Sequence, residues 1–236
     1  MRDYRLQQID KLDTVEIYRE SELTADQVVE IGADHIAVAT GATWRRDGFG
    51  ANALSGIAKL GPVAALFTPD DIMTGRLPEG PTIVYDDDHY YMGTVIAELL
   101  RSKGVDVTLM TPADVISSWG AYTTDRGRAQ TRLMEMDVDL KVAQSLVSFD
   151  GSRAVSACTY TGRESETEAT AIVLVTTRLP NDALYHQLQS IQLKSADTTF
   201  KSIRKIGDCD APAIIAAAVF SGHRYARELE EEIDTD

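Results

Sequence analysis

Apolar positions near the start of the chain recur at helical spacing: Leu6, Ile9 and Leu12 predict an amphipathic helix over residues 3–12. "TVEIYRE" alternates Val15 and Ile17 with polar neighbours and reads as a strand. "LTADQVVEIG" predicts a capped short helix. Thr24 is its N-cap, Gln27 completes a capping box, Leu23 and Val28 form a hydrophobic staple, and Gly32 closes it. "HIAVATG" is an apolar strand that stops at Gly41. Residues 42–80, rich in Gly and Pro, read as an irregular connection with one short helix.

From Thr82 the pattern changes. Ile83 and Val84 predict a buried strand. Met92 to Lys103 predicts a helix with Val95, Ile96, Leu99 and Leu100 on its core side, ended by Gly104. "VDVTLMTP" is a second strand, so the unit is a parallel βαβ crossover. A helix is predicted over 124–136, then alternating runs with hairpin turns at Asp150-Gly151 and at 161–164. "AIVLVTT" is apolar on both faces, as in the middle of a parallel sheet. "SIRKIGD" is a last strand, and a long helix begins near Ala211 with Pro212 in its first turn. The fold class is α/β with a β-hairpin insertion.

At 236 residues the chain is long enough for one large domain or two small ones. No apolar run is long enough to span a bilayer, and the start lacks a signal-peptide core. Cys158 and Cys209 lie far apart and form neither a CxxC pair nor a metal-ligand cluster. A reducing cytoplasm is the expected location. The net charge of −14 repels a phosphate backbone and argues against a nucleic-acid partner.

The stretch "TIVYDDDHYYMGTVIAELL" has the rhythm of a dinucleotide-binding unit without its glycines. With the template placed after "TIVY", the three glycine positions become Asp86, Asp88 and Tyr91. Asp88 would fill the pyrophosphate space, and Tyr91 is too bulky for the close-packing position. One like-charge pair at 4 Å costs on the order of 4 kcal/mol at an effective dielectric of 20. The half charge of a helix N-terminus does not offset that. The turn is therefore hostile to a dinucleotide phosphate.

Two other strand ends look like parts of a different nucleotide site. "AVATGA" ends in Thr40 and Gly41, where glycine lets a ligand approach the backbone. "KIGDCDAP" places Gly207 and Asp208 just before a helix N-terminus, where a carboxylate can accept from a ribose or ribityl hydroxyl. In this order, flanking the βαβ unit, they match flavoproteins with two dinucleotide-binding domains, the second inserted in the first. The expected division is an incomplete ADP/FAD-binding-like domain at 1–65 and 180–236, and a degenerate NAD(P)-binding-like domain at 80–178. The first lacks its opening strand and GxGxxG turn.

With these motifs, "TPDDIM…TIVYDDDHYYMGTVIAELL" and "IGDCDAPAIIAAAVFSGHRYARELE" resemble the C-terminal region of the trimethylamine, dimethylamine and histamine dehydrogenases. These are iron–sulfur flavoproteins related to dienoyl-CoA reductase and old yellow enzyme. The resemblance implies a parent with an N-terminal barrel carrying FMN and the amine site, and a 4Fe–4S cluster held by cysteines. It implies that the C-terminal region holds ADP or FAD, with Thr40, Gly41, Gly207 and Asp208 as the matching residues. It also implies an oligomeric parent that passes electrons to an electron-transferring flavoprotein. This region would then be mainly structural, with no catalytic residue and no metal ligand of its own. The alternative is a stand-alone, non-catalytic module that binds an adenine nucleotide or another subunit. His35 and His223 read as structural, His89 as part of a solvated turn rather than a carboxylate-coupled acid/base, and Cys209 as a small buried residue.

Overall fold

A computed structural model describes residues 2–194 and 200–233. The elements in chain order begin with helices α1 (Arg2–Ile9) and α2 (Ala25–Ile31) and strands β1 (His35–Val38), β2 (Ala42–Trp44) and β3 (Leu66–Phe67). Helix α3 (Pro69–Met73), strand β4 (Thr82–Asp86), helix α4 (Met92–Ser102) and strand β5 (Val107–Met110) follow. Then come α5 (Arg126–Glu135), β6 (Asp139–Lys141), β7 (Gln144–Phe149), β8 (Arg153–Cys158) and β9 (Glu164–Glu168). The last elements are β10 (Ala171–Val175), β11 (Arg178–Pro180), α6 (Ala183–Lys194), β12 (Ser202–Lys205) and α7 (Ile215–Ile233).

The main sheet has five parallel strands in the order β3-β10-β4-β5-β6. Strand β10 lies between β3 and β4, which explains why "AIVLV" is apolar on both faces. Alternation along β4 splits its side chains. Val84 points to a core shared with Ile96, Leu100 and Leu109. Ile83 and Tyr85 point to a second core with Leu146, Phe149 and Leu174. Helices therefore cover one face, and the antiparallel β7-β8-β9 sheet covers the other. Both expected hairpin turns form. Gly151 and Gly162 sit at φ +100° and +68° in them.

A smaller pair, β1 and β12, runs parallel with Val38 opposite Lys205. Its core joins Val38 and Leu188 to Val28, Ile36 and Ile203. Helix α2 has the expected capping box: Thr24 N–H donates to Gln27 Oε1 at 2.9 Å, and Gly32 caps the other end at φ +69°. Thr24→Ala should cost about 1 kcal/mol, read as a lower midpoint in urea.

Three expectations are corrected. "TVEIYRE" is not a strand: the segment takes no strand conformation, and Val15, Ile17 and Tyr18 are all exposed. Residues 42–80 hold strands β2 and β3 as well as the short helix α3. The buried side of α4 is Gly93, Ile96, Ala97 and Leu100, whereas Val95 is 49% exposed. In addition, the last helix begins at Ile215 rather than Ala211, because residues 207–209 form a 3-10 turn first. Residues 1, 195–199 and 234–236 of the expected first domain lie outside the described residues. No helix of the described residues is long and apolar enough to cross a membrane.

Candidate functional site: a closed turn, an open turn and an aromatic cleft

Strand β4 runs directly into the aspartates, and the turn is filled by its own side chains. Asp86 is fully buried. Its Oδ1 accepts the backbone N–H groups of Asp88 at 3.2 Å and His89 at 2.9 Å. Those are the donors an anionic ligand would otherwise take. Its Oδ2 has no hydrogen-bond partner among the described residues and lies against Gly93. A Cβ at Gly93 would sit 2.6 Å from Asp86 Cγ. The glycine that lets helix and strand pack closely is thus Gly93, not position 91, and Tyr91 is partly exposed instead. The side chain that fills the turn is Asp86 rather than Asp88.

Asp87 is locked from the other side. Its Oδ2 accepts from Asn52 N at 3.0 Å, and its Oδ1 accepts from Asn52 Nδ2 at 2.6 Å. His89 Nε2 lies 3.1 Å from the same Oδ1, and His89 Nδ1 lies 3.3 Å from Thr111 Oγ1. To reach these positions His89 adopts φ +63°, uncommon for a residue with a side chain. Burial pushes Asp86 up to about 7. Burial would lower His89, but its bond to Asp87 and the charges of Asp86, Asp87 and Asp88 outweigh that and raise it. A dinucleotide phosphate does not fit here: the donors are used and the charge is wrong.

The other pair of strand ends is different. Ile206 N–H donates to Val38 O at 3.0 Å, so Thr40-Gly41 and Gly207-Asp208 leave adjacent parallel strands at the same end. Gly41 has φ +76°, with nothing within 4 Å of where a Cβ would be. Gly207 has φ +63°, and its N–H donates to Ser221 Oγ at 2.9 Å. Thr40 Oγ1 donates to Asn181 O and lies 3.3 Å from Cys209 Sγ. Asn181 N–H donates to Gly41 O at 2.9 Å. Asp208 Oδ2 pairs with Arg178 at 2.6 Å, and its Oδ1 accepts from Ala213 N at 3.2 Å. Each of these oxygens keeps a lone pair for a further donor.

Between the two turns lies a cleft of about 1020 Å³. Trp44, Tyr90, Tyr91, Trp119 and Tyr122 contribute aromatic surface, and the start of α7 closes the opposite side. Asp88, Arg178 and Asp208 are its charged lining groups. Asp88 and Arg178 in its lining follow the carboxyl ends of β4 and β10, the side of an open α/β sheet where ligands bind.

No protein-family model matches the sequence. The histamine dehydrogenase of Rhizobium sp. 4-9 is 39% identical with a TM-score of 0.92, over 97% of this chain and 35% of its own. The 6-hydroxypseudooxynicotine amine oxidase of Pseudomonas geniculata N1 is 38% identical with a TM-score of 0.87, over 94% of this chain and 33% of its own. The dimethylamine dehydrogenase of Hyphomicrobium sp. (strain x) is 28% identical over 98% of this chain and 34% of its own. The chain is homologous to the C-terminal region of the dimethylamine and histamine dehydrogenase family. It spans about a third of the length of these relatives. More distant flavoprotein reductases, under 25% identical, share the FAD/NAD(P)-binding fold alone.

Within this region His35, His186 and Cys209 have structural surroundings. His35 Nδ1 meets Ser202 Oγ at 2.8 Å across the β1–β12 pair. His186 lies 3.1 Å from Asp182, one helical turn away. Cys209 is fully buried in the small core. The sequence reading missed Asn52, Asn181, Arg178 and Gly93. Asn52, Asn181 and Arg178 act through contacts between segments distant in sequence, whereas Gly93 meets Asp86 within the same βαβ unit. Only Gly93, a glycine inside a helical pattern, carried a local signal.

Proposed function

We propose that this region is the nucleotide-binding-fold part of an FMN/4Fe–4S amine dehydrogenase-type oxidoreductase, with a mainly structural role. Its ligand is an adenine nucleotide, as ADP or as part of FAD, at Thr40, Gly41, Gly207 and Asp208. One observation carries this reading. Of the two kinds of strand end, the open one has left-handed glycines with free space above Gly41, and the other is plugged by Asp86 and Asp87. When bound, the nucleotide would offer a diphosphate and ribose hydroxyls. Gly41 admits it close to the backbone, and Asp208 has acceptor capacity left for a hydroxyl.

The FMN and the amine site belong, in this reading, to a part of the parent that this sequence does not contain. So does the cluster, because two cysteines cannot supply four thiolate ligands. The parent would oxidise an amine and pass electrons to an external acceptor such as an electron-transferring flavoprotein.

Titration calorimetry of the purified chain with ADP and with NADH tests the site. ADP should bind with a dissociation constant in the micromolar range or weaker, since the sequence contains no GxGxxG turn. NADH should bind no better through its nicotinamide half. Gly41→Val should abolish ADP binding in a chain that remains folded, because valine does not tolerate φ +76°. Tight NADH binding that Gly41→Val leaves intact would overturn the assignment.

A further inference from the structure

The charge inside the aromatic cleft is unbalanced. Arg178 is already committed: Asp208 holds it at 2.6 Å, Ala213 O accepts from it at 3.0 Å, and it lies over the Trp44 ring at 5.3 Å. His89 is turned toward Asp87 and Thr111, away from this lining. The Asp88 carboxylate forms no ion pair within 4 Å among the described residues. Its backbone N–H is used by Asp86 and Val175. Arg178 and His89 act on Asp88 from beyond ion-pair distance, each already held by another carboxylate, so the cleft presents one carboxylate with no cation of its own among the described residues.

The aromatic surface is also uncovered. Trp119 is 58% exposed and Tyr122 is 82% exposed, their centroids 5.6 Å apart. Tyr90 and Tyr91 meet edge to face at 4.9 Å. An aromatic face attracts a cation through its quadrupole, as the Arg178–Trp44 contact already does here. A carboxylate nearby adds attraction for a cation and repulsion for a phosphate or sulfonate.

We propose that the cleft between Asp88 and the rings of Tyr91, Trp119 and Tyr122 binds a planar aromatic cation that lacks phosphate. This site borders the proposed nucleotide site at Asp208, but its binding groups, Asp88 and the three rings, are not nucleotide residues, so it does not rest on the nucleotide reading. Its volume, about 1020 Å³, accommodates a fused ring system rather than a small alkylamine alone. Recognition is by stacking plus one ion pair.

N-methylquinolinium is the probe, titrated at pH 8 against the purified chain by calorimetry, with its charge-transfer absorbance on indole as a second readout. Neutral quinoline and naphthalene-2-sulfonate are the comparison compounds. The cation should bind saturably, with the charge-transfer band, and the sulfonate should not. Asp88→Asn should weaken the cation by about tenfold and leave quinoline unchanged, as expected for a partly buried charge pair. Trp119→Ala, a change at an exposed side chain that leaves the fold intact, should weaken both ring compounds and remove the band. Equal affinity for cation and sulfonate would overturn the proposal. So would an absence of saturable cation binding by a chain with native circular dichroism.

Discussion

Gly93→Ala should destabilise the protein by about 3 kcal/mol, the upper part of the range for overpacking a core. The added methyl would lie 2.6 Å from Asp86 Cγ and 2.7 Å from its Cβ, so either α4 or β4 has to move. The partner test is specific. In an Asp86→Gly background the obstruction is gone, and alanine is favoured over glycine inside a helix by about 1 kcal/mol. The same substitution should then be neutral or stabilising. Urea denaturation of the four chains gives the coupling energy directly. An equal cost in both backgrounds would mean that Asp86 is not what occupies the space above Gly93.

The second large effect is on pH dependence. Asp86 is raised by burial to about 7 in the folded protein, against about 3.9 in an unfolded chain. Between those values the folded state binds more protons than the unfolded state, so stability falls as pH rises. The full span amounts to on the order of 4 kcal/mol. His89 acts in the same direction. Its raised value contributes stability that is complete below about 6.5 and is lost as pH rises through the folded value. Asp86→Asn keeps an oxygen for the N–H groups of Asp88 and His89 but removes the titration. Its stability should fall much less between pH 4 and pH 8, as measured by denaturant midpoints across that range. Parallel curves for the two proteins would contradict the assignment to Asp86.

What could be read in the sequence, and what could not, follows from where each signal resides. The parallel βαβ unit, the Thr24 capping box and the buried strand "AIVLV" are local patterns, and the structure contains all three. "TVEIYRE" has strand composition, but composition alone does not make a strand: its apolar side chains stay exposed instead of packing on a sheet. Strand β3 has two residues, too short for any periodicity to announce it. The hostility of the aspartate turn to phosphate was legible as charge. The way it is closed was not, because it depends on Asn52 reaching Asp87 and on Gly93 receiving Asp86. Thr40, Gly41, Gly207 and Asp208 were singled out one strand end at a time. Their arrangement at one edge required the β1–β12 pairing, between segments far apart in sequence.

The position of β10 has a consequence for synthesis of the chain. Leu66-Phe67 and β4 flank a slot that is filled only by Ala171–Val175. During translation the middle of the sheet therefore stays empty until that late segment leaves the ribosome. The backbone edges on either side of the slot wait unpaired throughout that interval, so slow elongation or truncation before Val175 favours capture by chaperones over productive assembly.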